Sequence, residues 1–324
     1  MTKRIFALIC AGAMLAATTA CGGAAAGSSA AGSSAPAETH YDLNIVLKTT
    51  SSEYWQYVIA GAKDAEAELG NVSVTITGAT SDTAFDEQQN MVETLIASGE
   101  PDAMAIAPLQ AVQISSIIGE TDIPILAVDT SFDSALSFIG TGNEAAAYEG
   151  GKYVAELLGE GGKVAVLANI QGEQTSESRV KGFTDALLEG GCEIICTQYT
   201  DGVADKAVNA MEGVLQTYPE VEAVVCCADD VALGAARAIE QAGRADDGII
   251  VCGFDGISSG VQAVVDGSIT CTVAQDPYNM GYQSVMSMVD VLEGETLDAF
   301  IDTGCNVITS ENAEEYLARL NGML

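Results

Sequence analysis

Positive charge is scarce in this chain, and histidine is almost absent. The 324 residues include 12 lysines and arginines against 46 aspartates and glutamates, so the formal net charge is -34 at pH 7. A chain this acidic could not neutralise a row of nucleic-acid phosphates, and electrostatics would not hold it to an anionic membrane. His40 is the only histidine and no Cys-x-x-Cys pair occurs, so no metal site is expected.

Glycine-rich phosphate-binding motifs are also missing. Neither GxGxxG nor GxxxxGK[ST] follows any apolar segment of the chain. Enzymes that use nucleotides or dinucleotides need such a turn, because its backbone N–H groups hold the phosphates. We therefore expect no cofactor and no nucleotide-dependent enzyme.

The first twenty residues have the features of a secretion leader. Lys3-Arg4 precede a short apolar run, Ile5 to Ala17, which cannot span a membrane as a helix, and small residues lead up to Cys21. This segment resembles a bacterial lipoprotein signal (residues 1–20) cleaved before a lipidated Cys21, although Thr18 replaces the usual leucine and leaves a plain secreted form possible. Residues 21–41, mostly Gly, Ala and Ser, would form a lipid-anchored flexible tether. The expected location is extracytoplasmic, on the outer face of the cell membrane or in a periplasm.

From Tyr41 onward, apolar strand-like segments alternate with amphipathic helix-like segments. About five such strands precede residue 143, and the pattern then starts again. Repeating βα units predict an α/β fold of two doubly wound parallel-sheet, Rossmann-like domains with a cleft between them. Later helices are predicted to begin at Ala145, Glu177, Ala232 and Met280.

The segment IIVCGFDG, residues 249–256, is the most informative one. Four apolar residues predict a strand buried on both faces, and Asp255 follows at its carboxyl end, where open α/β sheets bind their ligands. A carboxylate there accepts hydrogen bonds and suits hydroxyl donors. The alternative interpretation is a turn aspartate that caps the next helix.

Six segments in order resemble the ribose/galactose-type (type I) periplasmic sugar-binding proteins, the substrate-binding components of bacterial ABC transporters. They are SSEYWQYVIAGAKDAEAELG, IPILAVD, ESRVKGF, DDVALGAARAIEQAG, VCGFDG and TVAQDPYNMG. The resemblance implies a three-strand hinge, with crossings near Asn143, Gln275 to Asp276 and Asp302. The N-terminal domain would be residues 42–143 plus 276–302, and the C-terminal domain 144–275 plus 303–324.

The same resemblance implies the ligand-binding residues. An aromatic pair would face the apolar side of a sugar ring, while acids, an arginine and an amide would bind its hydroxyls. The main candidates are Tyr54, Trp55, Asp129, Arg179, Asp255 and Gln275. Weaker candidates are Ser52, Thr130 and Asp229. Thr130, Gly202 and Ala228 depart from the pattern of ribose binders, which favours another pentose, a hexose or a polyol.

These expectations define a binding protein and not an enzyme. The chain is predicted to be a monomer that closes on a small sugar or polyol and delivers it to an ABC transporter permease, touching the membrane only through its lipid anchor. A ligand-sensing receptor feeding a membrane histidine kinase or chemoreceptor is the alternative. A carbohydrate-active enzyme that uses Asp129 and Asp255 as paired acids is the third hypothesis.

Overall fold

A computed structural model describes residues 39–119 and 121–324. The predicted leader, Cys21 and the tether up to residue 38 lie outside the described residues. Thr39–Leu324 form one compact unit. Within the described ranges, no helix combines the length and apolarity that a membrane crossing requires.

Strands and helices alternate along the described ranges. The strands are β1 Tyr41–Thr49, β2 Val72–Ala79, β3 Ala103–Ile106, β4 Ile125–Val128, β5 Phe138–Gly140, β6 Lys163–Ala168, β7 Glu193–Tyr199, β8 Ala223–Cys226, β9 Ile250–Asp255, β10 Cys271–Ala274, β11 Phe300–Asp302 and β12 Asn306–Thr309. The α-helices are α1 Glu53–Leu69, α2 Phe85–Ser98, α3 Ala111–Ile118, α4 Asn143–Leu158, α5 Gln174–Glu189, α6 Ala204–Thr217, α7 Asp229–Gln241, α8 Ser258–Asp266, α9 Pro277–Leu292 and α10 Ala313–Leu320.

The strands form two six-stranded sheets. The first has the order β11-β5-β4-β3-β1-β2 and the second the order β12-β10-β9-β8-β6-β7. Neighbouring strands are parallel, except that β12 runs antiparallel to β10. We call the first sheet with the helices packed on it the first lobe, and the second sheet with its helices the second lobe. The predicted fold class, two doubly wound α/β domains, is confirmed.

The chain passes between the lobes three times: after β5, after β10 and after β11. Helix α9 packs on α1 and on strands of the first sheet, although it follows β10 of the second sheet in the chain. The domain limits assigned at single-residue level, 42–143 plus 276–302 and 144–275 plus 303–324, stay a prediction. Strand β11 was not predicted, because a three-residue edge strand leaves little periodicity in the sequence.

Buried apolar residues explain the central strands. All four residues of β3 and all four of β8 are buried, as expected for parallel strands covered by helices on both faces. The sheet faces carry four apolar clusters, two in each lobe. The two sheets therefore serve as rigid supports for the loops at their carboxyl ends.

Glycines allow the helices that carry candidate site residues to approach a neighbour closely. A methyl group on Gly61 of α1 would lie 1.9 Å from the carbonyl oxygen of Tyr278 at the start of α9. In the second lobe, a methyl group on Gly182 of α5 would lie 2.1 Å from the carbonyl oxygen of Glu144 in α4. No larger side chain fits at either crossing without displacing backbone. These crossings position the start of α1 and the middle of α5 against the cleft.

Four helices of the second half begin two or three residues earlier than the sequence predicted. Helix α4 begins at Asn143, α5 at Gln174, α7 at Asp229 and α9 at Pro277. Each of these helices begins with a polar residue or a proline, which does not continue the apolar periodicity on which the predictions depended. Asp276 illustrates the signal that was missed, since its side chain accepts a hydrogen bond from the Asn279 backbone and caps α9.

Candidate functional site

A cavity of about 120 Å³ lies between the two lobes. It is far smaller than the sites of drug-sized ligands, which start at about 300 Å³, and its size suits a very small molecule. Its lining consists of Lys48, Ser52, Tyr54, Trp55, Asp82, Leu109, Asp129, Asn169, Ile170, Glu173, Thr175, Arg179, Asp201, Gly202, Ala228, Asp230 and Asp255. Six of these are carboxylates and two are cations. Hydrogen-bond acceptors therefore dominate the wall.

The aromatic pair that opens α1 forms one side of the cavity. Trp55 is 4% exposed, and the rings of Tyr54 and Trp55 meet edge to face with centroids 5.1 Å apart. Both rings also belong to the apolar core of the first lobe. They line the cavity and pack the core together, so an apolar ring face entering the cleft would meet a fixed aromatic surface.

Asp129 follows β4 in the first lobe, at the carboxyl end of the strand. Its Oδ1 accepts a 2.8 Å hydrogen bond from the Tyr54 hydroxyl, and its Oδ2 accepts one of 2.8 Å from the Thr130 hydroxyl. The Lys48 ammonium lies 3.5 Å from Oδ2. The carboxylate is held in position mainly by hydroxyl donors, and Thr130, which does not line the cavity, supports it from behind.

Asp255 ends β9 in the second lobe. Its Oδ1 accepts hydrogen bonds from Nη1 of Arg179 at 3.0 Å and from Nε2 of Gln275 at 2.8 Å. Burial raises the pKa of Asp255 to about 6, although Arg179 and Gln275 pull it down. Gln275 is not part of the cavity wall and orients Asp255 instead. Its Oε1 is buried without a hydrogen-bond partner among the described residues.

Arg179 is locked in place on α5. Nε donates to Oδ1 of Asn143 at 2.8 Å, and Nη1 also donates to the backbone oxygen of Cys227 at 2.8 Å. The guanidinium carbon lies 3.9 Å from the centroid of the Phe254 ring. Because these contacts occupy part of the fork, the remaining N–H groups are presented in a fixed direction.

Backbone strain marks three of the cavity aspartates. Among the described residues, Asp129, Asp201 and Asp255 are the non-glycine residues with positive φ, at 63°, 53° and 111°. All three line the cavity. Aspartate tolerates this conformation better than most residues, yet it still costs free energy, and such strain concentrates at functional sites. This geometry supports the cavity as the ligand site independently of any resemblance.

An ion pair crosses the cavity between the lobes. Nζ of Lys48 on β1 donates to Oε1 of Glu173 at 2.9 Å, and both side chains are nearly buried. Glu173 also caps α5, where it accepts from the backbone of Ser176 at 2.7 Å and from the hydroxyl of Thr175. Burial raises the pKa of Glu173, but Lys48 and the Thr175 hydroxyl outweigh it and lower the pKa to about 2. The pair remains ionised at any physiological pH.

The weaker candidates have different fates. Ser52 lines the cavity, just before α1. Asp229 does not reach it: the side chain is fully buried, with Oδ2 accepting from the backbone of Ile257 at 2.9 Å and Oδ1 accepting from the Thr272 hydroxyl at 2.6 Å. Its neighbour Asp230 takes the lining position. Asp229 is the first residue of α7, and its side chain points inward, where it holds the loop behind Asp255.

Sequence reasoning missed several lining residues, among them Asp82, Asn169, Glu173 and Asp201. Asp82, Asn169 and Asp201 each lie in the loop after a parallel strand, so the same rule that identified Asp255 could have found them. Oδ1 of Asn169 is buried without a partner in the described part of the chain, which leaves an acceptor available for a ligand. Glu173 carried no comparable signal, since its place depends on where α5 begins.

Comparisons with known proteins identify the family and the fold. Residues 43–296 match the model of the family described as "Periplasmic binding protein domain". The D-allose-binding periplasmic protein of Escherichia coli is 30% identical over 76% of this chain and 83% of its own length. The fold is also similar to two solved ABC transporter solute binding proteins. The Agrobacterium vitis protein, with bound D-fucose, has a TM-score of 0.80 and 29% identity, covering 86% of this chain and 99% of its own. The Bacillus halodurans protein, with bound myo-inositol, has a TM-score of 0.80 and 26% identity, covering 88% and 100%.

Two lobes joined by three crossings, with an acceptor-rich cavity between them, are the architecture of a type I periplasmic binding protein. The chain belongs to the periplasmic binding protein family. The relatives described above are sugar-binding components of ABC transporters.

Proposed function

We propose that this protein captures a small sugar or polyol in the cavity between its lobes and presents it to an ABC transporter permease. The main support for this proposal is the pair Asp129 and Asp255, which supply one carboxylate from each lobe to the cavity. Each stands at the carboxyl end of a strand in a strained backbone conformation. A ligand with several hydroxyls can donate to both carboxylates at once, so binding favours the closed arrangement of the lobes.

The particular ligand class follows from the lining. Tyr54 and Trp55 offer an apolar surface, and the polar wall is mainly carboxylate, with Arg179 as a fixed donor. A cavity of about 120 Å³ leaves room for one small ring and not for an oligosaccharide. Pentoses, hexoses and cyclic polyols satisfy these requirements, and the relatives that bind D-allose, D-fucose and myo-inositol fall within that range.

The role we infer is binding and not catalysis. Asp255 is held by Arg179 and Gln275, and Asp129 by two hydroxyls, so both carboxylates are arranged as fixed acceptors. Incubating each panel sugar with the purified protein should return it chemically unchanged, as chromatography would reveal. Conversion that is lost in Asp255→Asn would contradict this part of the proposal.

A thermal-shift screen tests the proposal directly. The panel contains D-ribose, D-allose, D-fucose, D-arabinose, myo-inositol and glycerol, with amino acids as negative controls. A ligand at a hundred times its dissociation constant stabilises the native state by about 2.7 kcal/mol, which raises Tm by a few degrees for a protein of this size. We expect a shift with one class of sugar or polyol and none with amino acids.

Two variants make the screen specific. Asp255→Ala and Arg179→Ala should abolish the shift, whereas Glu156→Ala, on the exposed surface of α4, should keep it. Because Asp255→Ala and Arg179→Ala also change stability, each shift is measured against the same variant without sugar. A shift that survives in both cavity variants, or one caused by an amino acid, would contradict the sugar site.

Attachment through Cys21 is part of the same proposal and rests on the sequence alone. We propose that the chain is exported and lipidated at Cys21, which would hold the binding unit at the outer face of the membrane. Metabolic labelling with a palmitate analogue should label the protein but not Cys21→Ser. Equal labelling of both, or labelling of neither, would contradict the anchor.

A further inference from the structure

The start of α1 contacts the start of α8 across the lobes, outside the cavity wall. The contact comprises Glu53 and Tyr57 of the first lobe and Ile257, Ser258 and Ser259 of the second, and we call it the α1–α8 contact. None of the five lines the cavity. The contact lies directly behind it, because Tyr54 and Trp55 follow Glu53 and because Ile257 follows Asp255 by two residues.

Glu53 caps a helix of the opposite lobe. Its Oε1 accepts a 2.7 Å hydrogen bond from the backbone N–H of Ser258, the first residue of α8, and its Oε2 accepts one of 2.9 Å from the Ser259 hydroxyl. A carboxylate is favoured at a helix N-terminus, where unpaired N–H groups concentrate positive charge. Helix α8 has no side-chain cap from Ile257, its own N-cap residue. The other lobe therefore supplies the carboxylate that the helix lacks.

The apolar side chains at this contact are exchanged between the lobes. Tyr57, on α1, is 1% exposed and belongs to the apolar core of the second lobe, while Ile257 is 3% exposed and belongs to that of the first. The Tyr57 hydroxyl is also hydrogen-bonded to the Ser258 hydroxyl. Separating the lobes would expose both apolar side chains and break three polar contacts together.

Resting on the proposed function, we infer that Glu53 is a positioning residue that sets ligand affinity by stabilising the closed lobes without touching the ligand. The apparent dissociation constant of a protein with an open and a closed state is the intrinsic one divided by the closed fraction. Weakening the α1–α8 contact therefore raises the apparent constant for every ligand by the same factor. The Asp129 and Asp255 acceptors bind the ligand and determine which one is chosen, and the α1–α8 contact changes the affinity for all ligands by the same factor.

Two variants remove the contact by different routes. Glu53→Ala deletes the carboxylate. Ser258→Pro removes the backbone N–H from which Glu53 accepts a hydrogen bond. Position 258 is the first of the helix, where proline is well tolerated. Ile257 already has the extended conformation that precedes proline (φ -71°, ψ 159°). Glu68→Ala is the matched control, since Glu68 lies on the same helix but accepts from Tyr282 of its own lobe.

The first readout needs no ligand. Trp55 is the only tryptophan and lines the cavity, so acrylamide quenching of its fluorescence reports opening in the purified full chain. Glu53→Ala and Ser258→Pro should both increase quenching and the radius of gyration measured by small-angle X-ray scattering, and Glu68→Ala should change neither. Wild-type values in both contact variants, or an equal increase in Glu68→Ala, would overturn the inference.

The second readout uses D-allose, D-fucose and myo-inositol as probes. For any probe that binds, both contact variants should raise Kd about tenfold, mainly through faster dissociation, and keep the order of preference among probes. A changed order with an unchanged radius of gyration would overturn the inference, because it would place Glu53 in the ligand site. If no probe binds the wild type, the proposed sugar function fails, and the quenching and scattering results still decide the inference.

Discussion

The two lobes place an aspartate at the same point of the same sheet, yet surround it differently. Strands β4 and β9 occupy equivalent positions in the two sheet orders, and Asp129 and Asp255 stand at their carboxyl ends, both with positive φ. Asp129 receives two hydroxyl hydrogen bonds, whereas Asp255 receives a guanidinium and an amide. One fold repeated twice thus provides two acceptors with different electrostatics. The lobes share their architecture and divide the recognition of the ligand.

Removing the cation on each side is the strongest way to test this difference. Arg179→Met breaks three hydrogen bonds and leaves Asp255 buried beside Gln275 alone, so we expect a loss of about 3–5 kcal/mol in the free energy of unfolding. Lys48→Met should lose only about 1–2 kcal/mol, because Asp129 and Glu173 keep other donors.

Urea unfolding followed by circular dichroism measures both losses. Lys152→Met, at an exposed position of α4, is the control and should stay within about 0.5 kcal/mol of the wild type. Equal losses for Arg179→Met and Lys48→Met would show that the two aspartates depend on their cations to the same degree.

The close helix–helix contacts at Gly61 and Gly182 provide a comparison in which the lobes should behave alike. A methyl group on Gly61 or on Gly182 would overlap a carbonyl oxygen of the neighbouring helix. Gly61→Ala and Gly182→Ala should therefore each destabilise the protein by about 1–3 kcal/mol. Gly213, inside α6, has open space around it, and Gly213→Ala should stabilise by about 0.5–1 kcal/mol. Differential scanning calorimetry measures the stability of all three variants. If Gly61→Ala or Gly182→Ala were as stable as Gly213→Ala, the close helix–helix contact in that lobe would be refuted.

The pH dependence separates Asp255 from Asp129 more subtly. Burial raises the pKa of Asp255 to about 6, so its ionised form is lost as the pH falls through 6. Ligand hydroxyls donate to the ionised form, and affinity should therefore decrease by up to about tenfold per pH unit below 6. The contribution of Asp255 to folding has the opposite sign: a raised carboxyl pKa means that the folded state binds the proton more tightly, so stability rises as the pH falls from about 6 towards 4.

Calorimetric titration with the best-binding probe between pH 5 and pH 8 measures the pH dependence of affinity. Thermal unfolding over the same range measures the pH dependence of stability. Asp255→Asn should flatten both profiles. Asp129→Asn should keep them and move the midpoint to lower pH, because the Asp129 charge contributes to the raised pKa of Asp255. A midpoint that disappears in Asp129→Asn instead would assign the titration to the first lobe.

Strand periodicity made the fold predictable from the sequence, since short apolar runs such as residues 249–252 and 223–226, which alternate with helix-like segments, favour buried strands. The same rule located Asp255 at a ligand-facing strand end. It did not separate Asp229 from Asp230, because both precede the apolar residues of α7, and the orientation of the first turn decides which carboxylate faces the cavity. The partners of Glu53 and Glu173 were equally out of reach, since each depends on how one lobe meets the other.

The three crossings also decide the order in which the protein can be completed. The first sheet lacks β11, and the helix α9 that covers it, until the chain extends to residue 302, and the second sheet lacks β12 until residue 309. A chain growing from its N-terminus therefore carries two incomplete apolar sheets until residue 309 has been made. Both sheets therefore receive their last strands within the same stretch of the chain, residues 300–309, and we expect a chain cut before this stretch to leave both sheets incomplete.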